Sequence, residues 1–216
     1  MTTQTDKFQS MAAFGVHDKV LELVTPYLDG KKILVAGSGQ GEFEQRLLSQ
    51  GVDTKLISSL DIDPSQFKID GLECGYCDLN TKAPFADKSI DIWLSIEVIE
   101  HLHNPQNLID EAHRVLKDDG WLFITTPNVH SFDQKLRYML SSEFYWFREK
   151  DFDGLGHIHP IFDWLFRRMI RNQFEIVTYD APRFRFKILS KGPGIPVPFK
   201  SKLFADINVY MLRKVS

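Results

Sequence analysis

Apolar residues follow two regular patterns along this chain, and the patterns predict alternating strands and helices. Residues 33–36 form a continuous apolar run, which is typical of a strand buried on both faces of a sheet. Phe43, Leu47 and Leu48 then recur at helical spacing, and Gly51 follows where that helix ends. Similar short runs predict strands at residues 54–60, 72–77, 89–96, 121–126, 174–179 and 207–212.

Helical spacing fills the intervals between several of these strands. It predicts a helix over residues 11–28, ended by Asp29 and Gly30, and a second helix from Pro105 to Gly120. A weaker pattern favours a helix near residues 132–140, and another helix begins at Asp163. Helices alternating with strands imply right-handed crossovers and a parallel sheet, so we expect an α/β fold of the Rossmann-like three-layer type.

Composition sets the scale of the fold and its surroundings. The chain has 216 residues, 43% of them hydrophobic, which suits one α/β domain over residues 1–216. Within it we distinguish an N-terminal helical segment (1–30), an inserted segment (129–162) and a basic loop (181–205). The net charge of −3 predicts no general affinity for nucleic acid or an anionic membrane. Without a long apolar run or a signal-peptide core, we expect a cytoplasmic protein that does not insert into membranes.

The turn after the first strand carries Gly37, Gly39 and Gly41 on alternate positions. Glycines let a backbone approach a ligand closely, and the following helix points free N–H groups over the same space. The dinucleotide fingerprint G-x-G-x-x-G requires glycine where this chain has Glu42. A less anionic nucleoside ligand is therefore favoured over NAD, while a tight turn without a ligand is the simpler alternative.

Two carboxylates follow predicted strands. Asp61 lies at the tip of the second strand, about 20 residues after the glycine turn, where it can accept hydrogen bonds from two ribose hydroxyls. Asp78 follows the third strand and can accept a hydrogen bond from an exocyclic amine such as that of adenine. Either residue could instead cap a turn. Cys74 and Cys77 form a C-x-x-C without a second pair, so we expect no metal or redox site there.

These motifs resemble those of class I S-adenosylmethionine-dependent methyltransferases. The matching pieces, in order, are VAGSGQG at 35–41, LDIDP at 60–64, CDLN at 77–80 and the run from PFADKSIDIW through EVIEHLHNP to RVLKDDGWLFITTPN. The resemblance covers about residues 30–180. It implies a seven-stranded sheet whose last strand runs antiparallel between the fifth and sixth, with S-adenosylmethionine as cofactor and S-adenosylhomocysteine as product.

The resemblance also assigns the cofactor site. It implies that the three glycines line the methionine end, that Asp61 takes the ribose hydroxyls, and that Asp78 and Leu79 contact the adenine. It further implies that Ser95 and Ile96 face the methionyl group; we include Ile62, next to Asp61, in the same site. The family commonly has an acid two positions before the first glycine, where this chain has Val35. Backbone carbonyls or another acid, such as Glu97 or Glu100, must then hold the cofactor's ammonium group.

Methyl transfer to an oxygen of high pKa needs a general base, and histidine has the best-placed pKa for that role. His101 follows the fourth strand, and His157 and His159 lie in the inserted segment. These three are the candidate catalytic residues. Alternatively, His101 only caps a turn, or His157 and His159 form a metal pair, since H-x-H on an extended segment faces both rings one way.

The acceptor is less defined by the sequence. Arg183 and Arg185 in the basic loop favour an anionic group on the acceptor, and Tyr145 and Trp146 can stack on its apolar or sugar part. The inserted segment loosely resembles those of bacterial methyltransferases of surface-polysaccharide pathways. The predicted activity is therefore methyl transfer, at oxygen, to a small-molecule or a glycan- or lipid-linked acceptor. A catalytically silent S-adenosylmethionine-binding protein and an NAD-dependent oxidoreductase are the alternatives. The sequence does not give an oligomeric state.

Overall fold

A computed structural model describes residues 12–187 and 194–215 of the chain. Met11, Lys191 and Pro193, which the sequence assigned to the first helix and the basic loop, lie outside the described residues. Nine strands and six helices are described. The helices are α1 (Val16–Val24), α2 (Glu42–Ser49), α3 (Pro105–Val115), α4 (Phe132–Ser141), α5 (Glu149–Leu155) and α6 (Asp163–Met169). The strands are β1 (Ile33–Ala36), β2 (Ile57–Asp61), β3 (Cys74–Tyr76), β4 (Ile90–Ile96), β5 (Leu116–Pro127), β6 (Phe174–Asp180), β7 (Arg185–Phe186), β8 (Ile195–Pro196) and β9 (Ile207–Lys214).

Seven of these strands form one sheet, in the order β3-β2-β1-β4-β5-β9-β6. Strands β1 to β5 pair in parallel, whereas β9 pairs antiparallel with both β5 and β6. The strand order confirms the expected seven-stranded sheet with an antiparallel last strand. The order reverses beside β1, because β2 lies on one side and β4 on the other. In open parallel sheets, ligands bind outside the carboxyl ends of strands at such a point.

Two apolar cores cover the two faces of the sheet, which explains the continuous apolar run of β1. Ile33 and Val35 pack with α1 and α2 on one face, and Leu34 and Ala36 pack with α3 and α6 on the other. All four side chains are buried. A strand covered by helices on both faces has no reason to alternate apolar with polar residues.

Several predicted boundaries were wrong, for local reasons. Helix α1 begins after Gly15, which adopts a left-handed φ of 81°, rather than near residue 11. Helix α3 ends at Val115, and Leu116 begins β5 by pairing with Ile90. The amides of Lys88 and Ser89 donate to the last carbonyls of α3, so the chain extends before reaching Gly120.

Candidate active site

A cavity of about 490 Å³ opens where β1, β2 and β4 end. Its lining brings together ten of the residues proposed from the sequence, although they lie far apart in the chain. These are Gly37, Gly39, Asp61, Ile62, Asp78, Leu79, Ile96, His101, Trp146 and His157. A cavity of this size can hold a nucleoside-sized ligand.

The glycine turn forms one wall of the cavity. Gly37 has a φ of 90°, and a Cβ atom built there would overlap the side chain of Val98. Only glycine meets both demands without strain. The backbone N–H of Gly39 donates to Asp61 Oδ2 over 2.7 Å, so the turn is joined to the tip of β2.

Asp61 is held by backbone donors on both oxygens. Gly39 binds Oδ2, and the N–H of Asp63 donates to Oδ1 over 2.8 Å. Each carboxylate oxygen has two acceptor sites, so the same group can still accept from two hydroxyls of a vicinal diol. The backbone bonds fix the carboxylate orientation before any ligand arrives.

The expected adenine end lies beside β3. Asp78 Oδ1 accepts from the backbone and side-chain amides of Asn80, over 2.9 and 2.8 Å. Leu79 is buried, while Ile62 is largely exposed at the cavity rim. An apolar surface beside a fixed carboxylate suits a flat base that carries an exocyclic amine.

Glu97 is the acid of the cavity lining that directly follows β4. It lines the cavity, and its Oε2 accepts from the N–H of Ala13 over 2.6 Å. Glu97 has a left-handed φ of 52°, stabilised by its N–H donating to Thr125 Oγ1. Burial raises the pKa of its carboxyl, although Ala13 and His17 partly offset this effect. Val35, in contrast, is 2% exposed and packs in the core, so its side chain cannot serve a ligand.

Two residues that the resemblance assigned to the cofactor do not line the cavity. Ser95 is fully buried and lies on the same side of β4 as Trp93. Its Oγ accepts a hydrogen bond from the Nε1–H of Trp93 and donates to the carbonyl of Ala36 over 3.2 Å. Gly41 precedes α2, and a Cβ atom there would overlap the side chain of Ile69. Gly41 therefore serves local packing rather than the cavity wall.

Two of the three candidate histidines line the cavity. His101 Nδ1 lies 3.2 Å from the carbonyl of Gly156, and His157 Nδ1 lies 2.8 Å from that of Trp146. A carbonyl can only accept, so Nδ1 carries the proton in both rings and Nε2 keeps a lone pair. Burial lowers the pKa of both histidines, which favours the neutral form.

The third histidine is held elsewhere. His159 Nδ1 lies 2.8 Å from the carbonyl of Leu102, and His159 is not part of the cavity lining. The predicted pairing of His157 with His159 on one side of the segment is therefore not seen. Instead, the His101 and His157 rings meet edge to face, with their centroids 4.7 Å apart.

The inserted segment covers the histidine end of the cavity. Trp146 and Leu155 of this segment are part of the cavity lining. The backbone amides of Ile158 and His159 both donate to the carbonyl of Glu100. Tyr145 does not line the cavity; its ring packs against Trp146 and beneath the guanidinium of Arg148. The segment is thus tied to the end of β4 by main-chain hydrogen bonds.

Glu100 lies under this segment and is fully buried. Burial raises the pKa of its carboxyl well above the usual range, and the nearby Glu97 raises it further. Thr126 is close enough to oppose the rise, yet neither Glu100 oxygen nor the Thr126 hydroxyl completes a hydrogen bond. A buried carboxyl without a partner is costly and calls for an explanation.

The described residues of the basic loop, 181–187 and 194–205, do not line the cavity. Arg183 and Lys187 pair with Asp206, and Arg183 also lies over the ring of Phe14. Lys200 pairs with Asp180, and Lys202 pairs with Asp163. Neither Arg183 nor Arg185 is among the cavity residues. Four cations of the loop therefore bind carboxylates of the same chain, which weakens the argument for an anionic acceptor.

The start of the described chain supplies residues that sequence reasoning missed. Ala12, Ala13 and His17 line the cavity, and His17 Nδ1 lies 3.2 Å from Glu42 Oε1. Glu42 also contacts Arg46 over 3.2 Å. The hydrogen bond from Ala13 to Glu97 spans 84 positions in the chain, and no local pattern announces such a contact.

Comparison with known proteins identifies proteins that this chain resembles. The sequence profile of the family described as "Methyltransferase domain" matches residues 34–124, which run from β1 to β5. A probable S-adenosylmethionine-dependent methyltransferase of Mycobacterium tuberculosis is 24% identical over 123 residues, covering 53% of this chain and 42% of that protein. A ubiquinone biosynthesis O-methyltransferase of Actinobacillus pleuropneumoniae is 28% identical over 152 residues, covering 58% and 64%.

The fold comparison extends over more of the chain. The crystal structure of an S-adenosylmethionine-dependent methyltransferase from Archaeoglobus fulgidus superposes with a TM-score of 0.63 at 18% identity, covering 92% of this chain and 94% of that one. The curated relatives above are matched over less than two thirds of their length. No helix in the described ranges is long and apolar enough to cross a membrane.

These findings confirm the resemblance drawn from the sequence, together with the expected cofactor. A glycine turn, a fixed carboxylate after β2 and a cavity at the reversal of strand order are what a nucleoside cofactor needs. Residues 34–124 match a methyltransferase domain, and the chain resembles the class I S-adenosylmethionine-dependent methyltransferases in sequence and in fold.

Proposed function

We propose that this protein transfers the methyl group of S-adenosylmethionine to a hydroxyl oxygen of a small-molecule or a glycan- or lipid-linked acceptor. The observation that carries the proposal is the pair of imidazoles, His101 and His157, that line the cavity with Nδ1 of each ring held by a backbone carbonyl. The O-methyltransferase named among the relatives favours oxygen as the methylated atom.

The cavity residues fit the cofactor from end to end. Asp61 would hold the ribose hydroxyls, Asp78 and Leu79 the adenine, and Glu97 the ammonium group in place of the acid missing at Val35. Bound S-adenosylmethionine supplies an electrophilic methyl group on a sulfonium. Since the cofactor carries the reactive group, the protein mainly positions the acceptor and excludes water.

His101 is the proposed general base. Its Nδ1–H is engaged by the carbonyl of Gly156, so Nε2 is the atom that can take a proton from the acceptor hydroxyl. The backbone bond also fixes the ring orientation. His157 is the second candidate for the same reason, whereas His159 lies outside the lining and has a positioning role at most.

The acceptor end favours an uncharged, partly apolar group. Leu102, Trp146 and Leu155 surround the two histidines, and the basic side chains of the loop bind carboxylates elsewhere. Trp146 offers a flat face for a sugar or an aromatic ring. We therefore favour a neutral acceptor over the anionic one suggested by the sequence.

The test is methyl transfer from radiolabelled S-adenosylmethionine into fractionated cell extract, with small molecules, glycans, lipids and protein counted separately. We expect label in a small-molecule, glycan or lipid fraction, and a loss of about 100-fold in rate for His101→Ala, as for removal of a general base. His103→Ala is the matched control, because His103 is exposed on the same turn and outside the cavity.

Calorimetry separates this proposal from the alternatives. Binding of S-adenosylhomocysteine without any labelled product would favour a catalytically silent binder, and binding of NAD instead would favour an oxidoreductase. Label that appears only in protein would contradict the proposed acceptor class.

A further inference from the structure

Three side chains that can ligate a metal ion meet beneath the inserted segment. They are Glu100, His101 and His157, and their ligand atoms all lie within 4.8 Å of one another. Two come from the turn after β4 and the third from the inserted segment, 56 positions later. The carbonyl of Glu100 accepts from the amides of Ile158 and His159, over 2.9 and 3.0 Å, and so fixes the distance between the two segments.

Both imidazoles already have the arrangement of metal ligands. In proteins, a ligating histidine almost always donates its second ring N–H to a carbonyl, a carboxylate or water. His101 and His157 do so through Nδ1, to the carbonyls of Gly156 and Trp146. Each Nε2 atom is thereby left as an unprotonated donor to an ion.

The third ligand is the carboxyl group that the protein leaves without partners. Glu100 is 0% exposed, and neither of its oxygens completes a hydrogen bond. Removing a carboxyl from water without compensation costs several kcal/mol, and a cation bound to it would offset that cost. The unpartnered carboxyl is therefore suited to bind a cation.

We propose that Glu100, His101 and His157 bind one divalent first-row transition-metal ion at the acceptor end of the cavity. Two imidazoles and one carboxylate suit Zn²⁺, Mn²⁺, Fe²⁺ or Co²⁺ better than Mg²⁺, and they leave coordination positions open. Bonds of about 2.1 Å hold ligand atoms roughly 3 Å apart, so the side chains draw together when the ion binds. The sequence predicted no metal at Cys74 and Cys77 and offered His157 with His159 as an alternative metal pair, so the site proposed here is a different one.

The ion also indicates the class of acceptor for the proposed methyl transfer, which is a hydroxyl that can bind a metal ion. This part of the inference rests on the proposed function. An acceptor hydroxyl bound at an open position has a lowered pKa, as metal-bound water does. Its proton leaves to solvent, and the oxygen's electron pair forms the new O–CH₃ bond. The S–CH₃ bond of the cofactor breaks, and its electron pair stays on sulfur. Because Nε2 of His101 is then a metal ligand, the ion replaces His101 as the group that activates the hydroxyl, and His101 is the base only in the metal-free protein.

The test is titration of the chelator-treated full chain with Co²⁺, without cofactor, followed by visible absorption of the bound ion. We expect one Co²⁺ per chain. The single variants Glu100→Gln, His101→Ala and His157→Ala should each bind at least about 10-fold more weakly. His103→Ala, on the same turn but outside the cluster, should bind as the unaltered protein does. Circular dichroism and S-adenosylhomocysteine affinity show whether each variant still folds.

Failure of the metal site and failure of the proposed function have different signatures. If Co²⁺ does not bind, or binds the folded variants as well as the unaltered protein, the metal site is wrong even when labelled methyl transfer occurs. Loss of transfer on chelation, restored by Zn²⁺, Mn²⁺, Fe²⁺ or Co²⁺, supports its catalytic role. Transfer that is unchanged by chelation contradicts that role.

Discussion

The backbone N–H of Gly39 and the carboxylate of Asp61 are joined by a 2.7 Å hydrogen bond across the carboxyl ends of β1 and β2. The bond couples the two halves of the expected cofactor site: a turn that admits a ligand and a carboxylate that accepts its hydroxyls. Because Asp63 binds the other oxygen, the carboxylate cannot rotate freely. Preorganisation of this kind lowers the cost of binding.

Asp61→Asn replaces an acceptor oxygen by a donor and removes the charge. We expect S-adenosylhomocysteine to bind about 10- to 100-fold more weakly, since hydrogen bonds to a charged group contribute about 1.5–3 kcal/mol each. Isothermal titration calorimetry measures the change. Asp53→Asn is the control, because Asp53 is exposed and caps a turn outside the cavity. If Asp61→Asn and Asp53→Asn bound S-adenosylhomocysteine with equal affinity, Asp61 would not be part of the cofactor site.

Glu97 can be tested as the partner of the cofactor's ammonium group. Glu97→Gln should weaken S-adenosylhomocysteine binding about 10-fold or more, because the charge is lost from a buried position. Methylthioadenosine, which lacks the amino-acid part, should bind both proteins equally. Glu175→Gln, on the exposed side of β6, is the matched control. An equal loss for both ligands would indicate a general change in the cavity instead.

Gly37 should tolerate no side chain. In Gly37→Ala the Cβ atom would overlap Val98, and the φ of 90° would also be strained, so we expect about 2–3 kcal/mol lower stability and loss of cofactor binding. Gly30→Ala isolates the backbone contribution, because Gly30 has a φ of 63° with nothing within 4 Å of the added atom. We expect about 1 kcal/mol for Gly30→Ala by urea denaturation. If Gly37→Ala and Gly30→Ala lowered the stability equally, the predicted overlap with Val98 would be contradicted.

The pKa of Asp163 predicts how the stability of the fold changes at low pH. Burial alone would raise its pKa, but hydrogen bonds from Lys202, Tyr210 and Arg167 outweigh burial and hold the pKa at about 2. The folded pKa lies below the unfolded value of about 3.9, so the stabilisation is present above pH 4 and is lost as the pH falls toward 2.

Asp163→Asn should therefore cost about 2 kcal/mol at pH 7 and little near pH 2. Urea denaturation across this pH range measures the difference. Asp118→Asn, which loses an exposed ion pair with Lys88, should change stability far less than Asp163→Asn does at pH 7. A loss in Asp163→Asn that does not vary with pH would contradict the account of this network.

Local chemistry made much of the site predictable. The apolar run of β1, the glycines after it and Asp61 at the tip of β2 each follow from neighbours in the sequence, and a parallel sheet brings strand ends to one edge. Ser95 was assigned by resemblance, yet alternation along β4 turns it toward Trp93 and away from the cavity. The register of β4 decides whether Ser95 faces the cavity or the side that carries Trp93.

Long-range pairing explains what the sequence did not reveal. Three lysines of the basic loop pair with Asp206, Asp180 and Asp163, which lie outside the loop itself. His101 and His157 meet only because the inserted segment folds back onto the end of β4. No spacing rule connects residues so far apart in the chain, so such clusters become visible only in the folded structure.

A crystal structure of the protein with S-adenosylhomocysteine tests the central claim most directly. We expect the ribose hydroxyls on the carboxylate of Asp61, the adenine beside Asp78 and Leu79, and the amino group near Glu97. A ligand bound elsewhere, or a cavity that stays empty at saturating concentration, would contradict the account.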